Sequence, residues 1–451
     1  MLLFLNCGAK QDLVVLGVPG HILLNDGTGN FTKFEFYAEL EGNLGNCFDA
    51  TGDGHMDLLT LGDGSQTLTL GDGGKTNYYM NRGAWPIELH PGGGDATNLR
   101  DETKCMLPVD VDGDGDMVRL SSLCTRTLVD VSADVDFSSI SAQDLIVCTF
   151  TGPDKLLLND GVGNFALKEG AFDGPSGGAV PPATMSGTLL DANGDGHVDV
   201  FFSHILQDSQ LTSELRSPPS TKNELFLGDG QGNFEYKYIE EGGLQHEGDG
   251  SAQYSISADF NGDGHEDLYL FNGYITLQNS LWLNDGTGSF TKKDDLVQRP
   301  GGSAIAAVAV DVDSDGDMDL FVAGHAGTTC VLYINDGSGH FTYQSASGET
   351  SETPIDFTSV AGSWSAVVAE DFDGNGFVDL FVSAKENEDP PNIFLNNGDG
   401  TFIVKNLTEL TSALYGDGVN FADHGTKYVA VDIDQDGDGE LTYLLFFPQL
   451  A

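Results

Sequence analysis

Basic residues are scarce: the 451-residue chain holds 19 Lys and Arg against 70 Asp and Glu, a formal net charge of −51. Such a surface repels phosphate backbones and anionic lipid headgroups, which excludes nucleic acid as a partner. Long apolar runs are missing too. No window reaches the roughly 18 residues that a membrane-spanning helix requires, so the chain as given has no segment for direct membrane insertion. Cysteine is limited to Cys7, Cys47, Cys105, Cys124, Cys148 and Cys330, with no CxxC pair and no zinc spacing. Disulfides are compatible with that set, and Cys105 with Cys124 is the expected pairing. No HExxH motif marks a catalytic centre, and no catalytic residue is assigned.

What is present argues for a packed fold. Hydrophobic residues make up 39%, with 27 Phe and 13 Tyr, which gives the chain the apolar surface that acidic disordered tails lack. Sixty glycines without a collagen period point to many tight turns rather than long helices. The apolar opening Met1-Leu2-Leu3-Phe4-Leu5-Asn6-Cys7 has no basic residue ahead of it and reads as a first strand rather than as the remnant of a signal peptide.

A repeat organises the whole chain. ILLNDGTGNF ends at Phe31, LLLNDGVGNF at Phe165, LFLGDGQGNF at Phe234, LWLNDGTGSF at Phe290, LYINDGSGHF at Phe341 and IFLNNGDGTF at Phe402, with a degenerate YYMNRG ending at Gly83. Asn-Gly and Asp-Gly tolerate the positive φ of a tight turn, and the flanks alternate with strand period, so each copy predicts a β-hairpin. Between hairpins come an apolar strand, an acidic loop and a second apolar strand. The loops begin at 49, 110, 191, 259, 311, 371 and 432, giving gaps of 61, 81, 68, 52, 60 and 61 residues. Four strands in about 60 residues is the size of a propeller blade. The expected fold is therefore all-β, a single β-propeller over residues 1–451 built of four-stranded antiparallel blades, with insertions near 85–108, 117–143 and 204–223. Seven blades is the reading taken, with six and eight as alternatives. Closure is expected through a blade that joins terminal strands near Val429 and Leu444 to those near Leu23 and Phe31. In that count Gln11-Asp12-Leu13-Val14-Val15 is a surplus strand.

Six loops follow D-x-[DNT]-x-[DN]-G-x-x-[DE]. Their side chains at places one, three, five and nine, with the residue at place seven contributing its main-chain carbonyl, form one set of oxygen donors per loop. The sets are Asp49, Thr51, Asp53, His55 and Asp57; Asp191, Asn193, Asp195, His197 and Asp199; Asp259, Asn261, Asp263, His265 and Asp267. The others are Asp311, Asp313, Asp315, Asp317 and Asp319; Asp371, Asp373, Asn375, Phe377 and Asp379; Asp432, Asp434, Asp436, Asp438 and Glu440. Oxygen-only donors on a short acidic loop suit Ca²⁺ better than zinc, copper or the strict octahedron of Mg²⁺. Glycine at the sixth place lets the backbone turn. The imidazoles of His55, His197 and His265 need no role of their own. A seventh loop has Asp110, Asp112, Asp114 and Asp116, but Val118 stands where the ninth-place carboxylate belongs. Either Asp144 completes it across an insertion from Met117 to Gln143, or this site binds nothing. About six Ca²⁺ sites, and at most seven, are expected.

Val308 to Phe341, VAVDVDSDGDMDLFVAGHAGTTCVLYINDGSGHF, resembles the FG-GAP/VCBS repeats of integrin α-chain headpieces and of secreted propellers, certain fungal lectins among them. That resemblance implies a calcium-stabilised propeller of about seven blades exposed to the extracellular medium, secreted or at the cell surface, and used for adhesion or ligand binding. Its calcium ligands fall on the six loops named above.

Acidic loops join strands one and two of a unit and Asn-Asp-Gly turns join strands three and four, so both lie on one edge. The connections on the opposite edge vary widely in length, and function rides on the variable loops of a rigid scaffold. An extracellular protein or carbohydrate ligand is therefore expected there, with Trp85, Trp364 and Tyr274 as candidate contacts. Trp282 alternates with Leu281 and Leu283 and reads as packing. The alternative function is a propeller-type polysaccharide lyase or related sugar-processing enzyme, which the shortage of basic residues to hold an anionic polymer disfavours.

Overall fold

The computed structural model describes, besides the backbone of strands elsewhere, residues 105–111 (Met106 aside), 144–149, 152–160, 164–174, 183–204, 223–237, 254–271, 279–293, 304–323 (Ile305 aside), 330–342 and, between 364 and 403, several stretches of the last repeat units. Among the described residues there is no helix. Seven four-stranded antiparallel sheets follow one another along the chain, spanning residues 2–34, 44–89, 103–168, 183–237, 252–293, 304–344 and 364–406, with a two-stranded eighth sheet at 425–446. In each of the seven, the strands lie side by side in the order in which the chain makes them.

Hairpin chemistry explains the order. In the fifth sheet Ala252–Ala258 pairs with Asp267–Asn272, that strand with Ser280–Asn284, and the last pairs with Phe290–Lys293. The first strand enters the sheet through a one-residue irregularity between Ala252 and Tyr254, and the same shift recurs between Thr184 and Ser186, Ala304 and Ala306, and Trp364 and Ala366. A bulge at a repeated place strengthens the local twist of each sheet in the same way.

The second strands of the fourth, fifth and sixth sheets read as unbroken apolar runs because both faces of these sheets are covered. In the fourth sheet Val200, Phe202 and Phe226 pack toward Leu107, Leu145 and Val147 of the third. On the other face Phe201 and Leu225 pack toward Leu268, Leu270 and Trp282 of the fifth. Equivalent cores join the fifth to the sixth through Tyr269, Phe271, Val322 and Tyr333, and the sixth to the seventh through Phe321, Leu332, Val367 and Phe394. Each fully buried Phe contributes roughly 2–3 kcal/mol. Trp282 is core, as its alternation predicts, with its indole N–H donating to Ser280 Oγ. The first strands crowd together: a Cβ on Gly187 would lie 2.7 Å from Leu107 Cδ1 in the neighbouring sheet.

The closure expected from the sequence is corrected. Leu2–Phe4 pairs with Asp12–Val15, so the latter strand is no surplus but the second of a complete first sheet that also contains His21–Asn25 and Phe31–Phe34. The terminal strands Gly425–Val431 and Glu440–Phe446 pair with each other. Glu440–Phe446 packs against Leu2–Phe4, just as the second strand of the fourth sheet packs against the first strand of the fifth, so the succession of neighbouring sheets returns to its start. The disulfide is corrected as well. Cys105 bonds Cys148, its direct cross-strand partner, with Cα atoms 4.8 Å apart, whereas Cys124 lies outside the described residues.

Candidate metal centre

Every acidic loop closes at one register. Leu190 faces Asp199, Ala258 faces Asp267, Val310 faces Asp319 and Glu370 faces Asp379; Phe48 with Asp57 and Val431 with Glu440 repeat the pairing in backbone. Val109 faces Asp144 in the same way. Asp144 therefore occupies the ninth place of the loop that begins at Asp110, with residues 112–143 lying outside the described residues.

Among the described residues, the ninth-place carboxylates are buried and tie the two halves of a unit together. Asp267 Oδ2 accepts the Phe260 N–H at 3.0 Å and Oδ1 accepts the Asn284 N–H at 2.7 Å. Asp319 does the same with Val312 and Asn335, and Asp199 with Ala192 and Gly228. Asp379 Oδ1 accepts the Asn396 N–H. Asp144 takes Val111 N–H at 3.3 Å and Asn159 N–H at 2.6 Å, the matching pair. Burial pushes the carboxyls of Asp199, Asp267 and Asp319 up to about 7, against the lowering effect of those N–H donors and with further upward pressure from neighbouring loop aspartates.

Toward solvent, first-place aspartates cap their own loops. Asp259 Oδ1 accepts Gly262 and Asp263 N–H and Oδ2 accepts Gly264 N–H; Asp191 serves Gly194, Asp195 and Gly196 alike. Sixth-place Gly196, Gly264, Gly316 and Gly376 have φ of 84°, 88°, 95° and 87°, the left-handed turn that the motif predicts. In the loops at 191 and 259 the third-place Asn donates to the fifth-place Asp. The loop at 311 has aspartate at all three places, and the oxygens of Asp311, Asp313 and Asp315 lie within 4.8 Å of one another. Asp313 Oδ1 is buried with no hydrogen-bond partner among the described residues, and burial together with Asp315 and Asp311 raises its carboxyl. An orphaned buried oxygen among convergent carboxylates is a donor set that a hard cation such as Ca²⁺ would satisfy.

Seventh-place side chains have a role that sequence reasoning missed. A Cβ on Gly230 would lie 2.3 Å from His197 Nδ1, one on Gly286 2.4 Å from His265 Cε1, one on Gly337 2.4 Å from an Asp317 oxygen and one on Gly398 2.4 Å from the Phe377 ring. Each of these seventh residues thus caps the glycine of its own unit's hairpin turn, which places loop and turn on one edge. Also missed were the asparagines of those turns. Asn284 Nδ2 donates to Ala192 O, Asn335 Nδ2 to Phe260 O and Asn396 Nδ2 to Val312 O, each the second residue of the preceding sheet's acidic loop. The signal was available, since an Asx-turn needs only Asn or Asp, and Asn recurs where a side-chain donor is used.

Of the remaining loop residues, Asp49, Thr51, Asp53, His55, Asp112, Asp114, Asp116, Asp371, Asp373, Asp432, Asp434, Asp436 and Asp438 lie outside the described residues, and Asp57 and Glu440 are described as strand backbone. Trp85 and Tyr274 also lie outside, and Trp364 is described only as the start of its strand.

The FG-GAP-like repeat family matches residues 259–322 and 311–382. No curated protein matches the chain. Among solved structures, an Agrocybe aegerita lectin described as specifically recognising non-reducing terminal N-acetylglucosamine shares 15% identity over 98% of both chains with a TM-score of 0.53. A lectin from Burkholderia pseudomallei shares 11% identity over 88% of this chain and 94% of its own, with a TM-score of 0.46. A Lactobacillus plantarum protein shares 12% over 88% and 95%, with a TM-score of 0.45. The first likeness runs nearly end to end and shows a propeller-like all-β fold. Sheets, register and matched repeats agree: this chain carries FG-GAP-like repeats across residues 259–382.

Proposed function

We propose that the chain is a calcium-stabilised binding propeller, without catalytic activity, that recognises a carbohydrate or protein ligand outside cells through the edge opposite its acidic loops. The observation that carries the calcium half is the loop at 311, where three carboxylates converge and the buried Asp313 Oδ1 has no partner. Asp144 in the ninth place supports a loop of the same kind at Asp110. Eight sheets arranged as a ring, the eighth with two strands, is the blade count favoured by the packing of Glu440–Phe446 against Leu2–Phe4. The buried Cys105–Cys148 disulfide favours an oxidising, extracellular setting, where calcium is abundant enough to fill modules of ~10⁻⁴ to 10⁻³ M affinity. A carbohydrate ligand is the first class to test because the Agrocybe aegerita lectin of like fold is described as recognising a terminal sugar. A glycan array probed with the calcium-loaded protein, terminal N-acetylglucosamine included, tests it. Binding that survives substitution of acidic-loop residues but is lost on grafting of the opposite-edge connections supports the reading. Silence across the array directs the search to extracellular proteins, and turnover of a polysaccharide overturns the non-catalytic assignment.

A further inference from the structure

On the edge opposite the acidic loops, where the third and fourth sheets meet, four polar side chains form a chain through the interior. Asp154, half-buried in the connection between the second and third strands of the third sheet, accepts the Thr149 N–H on Oδ1 at 2.7 Å. Its Oδ2 lies 2.7 Å from Thr184 Oγ1, at the start of the fourth sheet's first strand. The same hydroxyl lies 3.0 Å from Nδ1 of His204, which is fully buried. On the far side of the ring, His204 Nε2 is 3.4 Å from Glu224 Oε2 and makes no hydrogen bond among the described residues. His204 is held in place by its own N–H, which donates to Asn223 Oδ1 at 3.0 Å, and by Phe202 alongside its ring. Among the described residues the titratable groups facing the imidazole are Asp154 and Glu224.

The threonine hydroxyl has one hydrogen, and that fixes the logic. While Asp154 is ionised the hydrogen goes to Oδ2, so Nδ1 must be the donor to Thr184 Oγ1. A neutral imidazole then turns a bare Nε2 lone pair toward the Glu224 carboxylate, which is repulsive and unbonded. One proton taken from solvent can place a hydrogen on Nε2 in either of two ways. It sits on Nε2 of an imidazolium beside ionised Asp154, or on Asp154, with Thr184 then donating to Nδ1 and the ring hydrogen moved to Nε2. In both arrangements Nε2–H points at Glu224 and no hydrogen is left without an acceptor.

We propose that Asp154, Thr184, His204 and Glu224 form a one-proton switch that closes the His204–Glu224 contact within the fourth sheet on mild acidification, beside the Asp154–Thr184 bond that joins this sheet to the third on the candidate ligand edge. The half-buried Asp154 gives the switch its route to solvent. Burial, only partly offset by His204, pushes the Asp154 carboxyl up to about 6, which places the transition in the range between neutral and endosomal acidity.

The test is the protonation of His204 read directly, by long-range ¹H–¹⁵N correlation on full-length protein labelled at histidine, with His204→Gln to assign the signal. Nε2 is expected to be bare at pH 8 and protonated at pH 5. In Thr184→Val, which is near in volume but has no hydroxyl, and in Asp154→Asn, the midpoint is expected to move by about half a pH unit or more, as for coupled sites. An Nε2 with the same protonation from pH 5 to 8 in the wild type, or a midpoint unmoved in both variants, overturns the proposal. The wild-type titration alone decides the first point even if a variant fails to fold.

Discussion

The side chain of Asn335 donates to the carbonyl of Phe260 at 2.8 Å across a sequence separation of 75 residues, joining the Asn-Asp-Gly turn of the sixth sheet to the acidic loop of the fifth. A second bond from the same amide reaches Met318 O in its own sheet at 3.0 Å. Asn284 and Asn396 are placed alike, so each of these three turn asparagines bonds its own acidic loop and that of the preceding sheet.

Replacing Asn335 with Leu leaves the Phe260 carbonyl without its side-chain donor in a buried position. A loss of about 1–3 kcal/mol is expected, read from chemical unfolding as a lower midpoint with unchanged slope. Asn335→Asp should be at least as damaging, because a carboxylate would face two carbonyls.

Asp313 reports on cation binding alone, whereas Asp319 is both a ninth-place donor and part of the scaffold. Asp313→Asn should leave stability in chelator unchanged or slightly higher, because it relieves repulsion from Asp311 and Asp315 and Oδ1 has no partner among the described residues to lose, while it reduces the gain on adding calcium. Asp319→Ala strips acceptors from the buried Val312 and Asn335 amides and should cost about 2–5 kcal/mol with or without the metal. Paired melting curves in chelator and in calcium distinguish the two.

Ser314 has φ of 62°, where the loops at 191 and 259 place Gly194 and Gly262 at 72° and 71°. Ser314→Gly relieves a left-handed residue and should stabilise the metal-free protein by roughly 1 kcal/mol. Gly337→Ala should do the reverse and more strongly, since its φ is 75° and the new methyl meets the Asp317 carboxylate. Thermal melts of the two variants read both.

The metal-free protein should be stabilised by mild acid. Burial pushes the carboxyls of Asp199, Asp267 and Asp319 from the ordinary aspartate value of 3.8 up to about 7 in the folded state, which therefore holds protons there that the unfolded chain releases. Their contribution is complete below the unfolded value and is lost as pH rises through the folded one, so stability should fall between pH 5 and pH 8. Calcium competes for ionised carboxylates, and its stabilising effect should grow over the same interval. Melting temperature against pH, with and without the ion, gives both slopes.

Much of this was legible in the residues. Asn-Asp-Gly between alternating apolar runs specifies a hairpin locally, and the spacing of Asp191 to Asp199 specifies a loop, because each depends on neighbours within ten positions. Closure was not legible: alternation places Leu23 and Phe31 in strands without saying which strand they pair, and the weakly marked Leu2–Phe4 decides it. Asp144 is separated from Asp110 by a long insertion, and only register reveals its place. Cys148 was passed over as the partner of Cys105 for the same reason. The cluster around His204 had no sequence signature, since its members come from three separate strands and a connection.

The most direct test of calcium-dependent closure of the sheets is thermal unfolding of the whole chain in millimolar calcium and in excess chelator at neutral pH. Several coupled sites should raise the melting temperature by roughly 10 °C in calcium, the scale of a few kcal/mol of binding linkage. Identical melting curves in the two conditions would contradict the account.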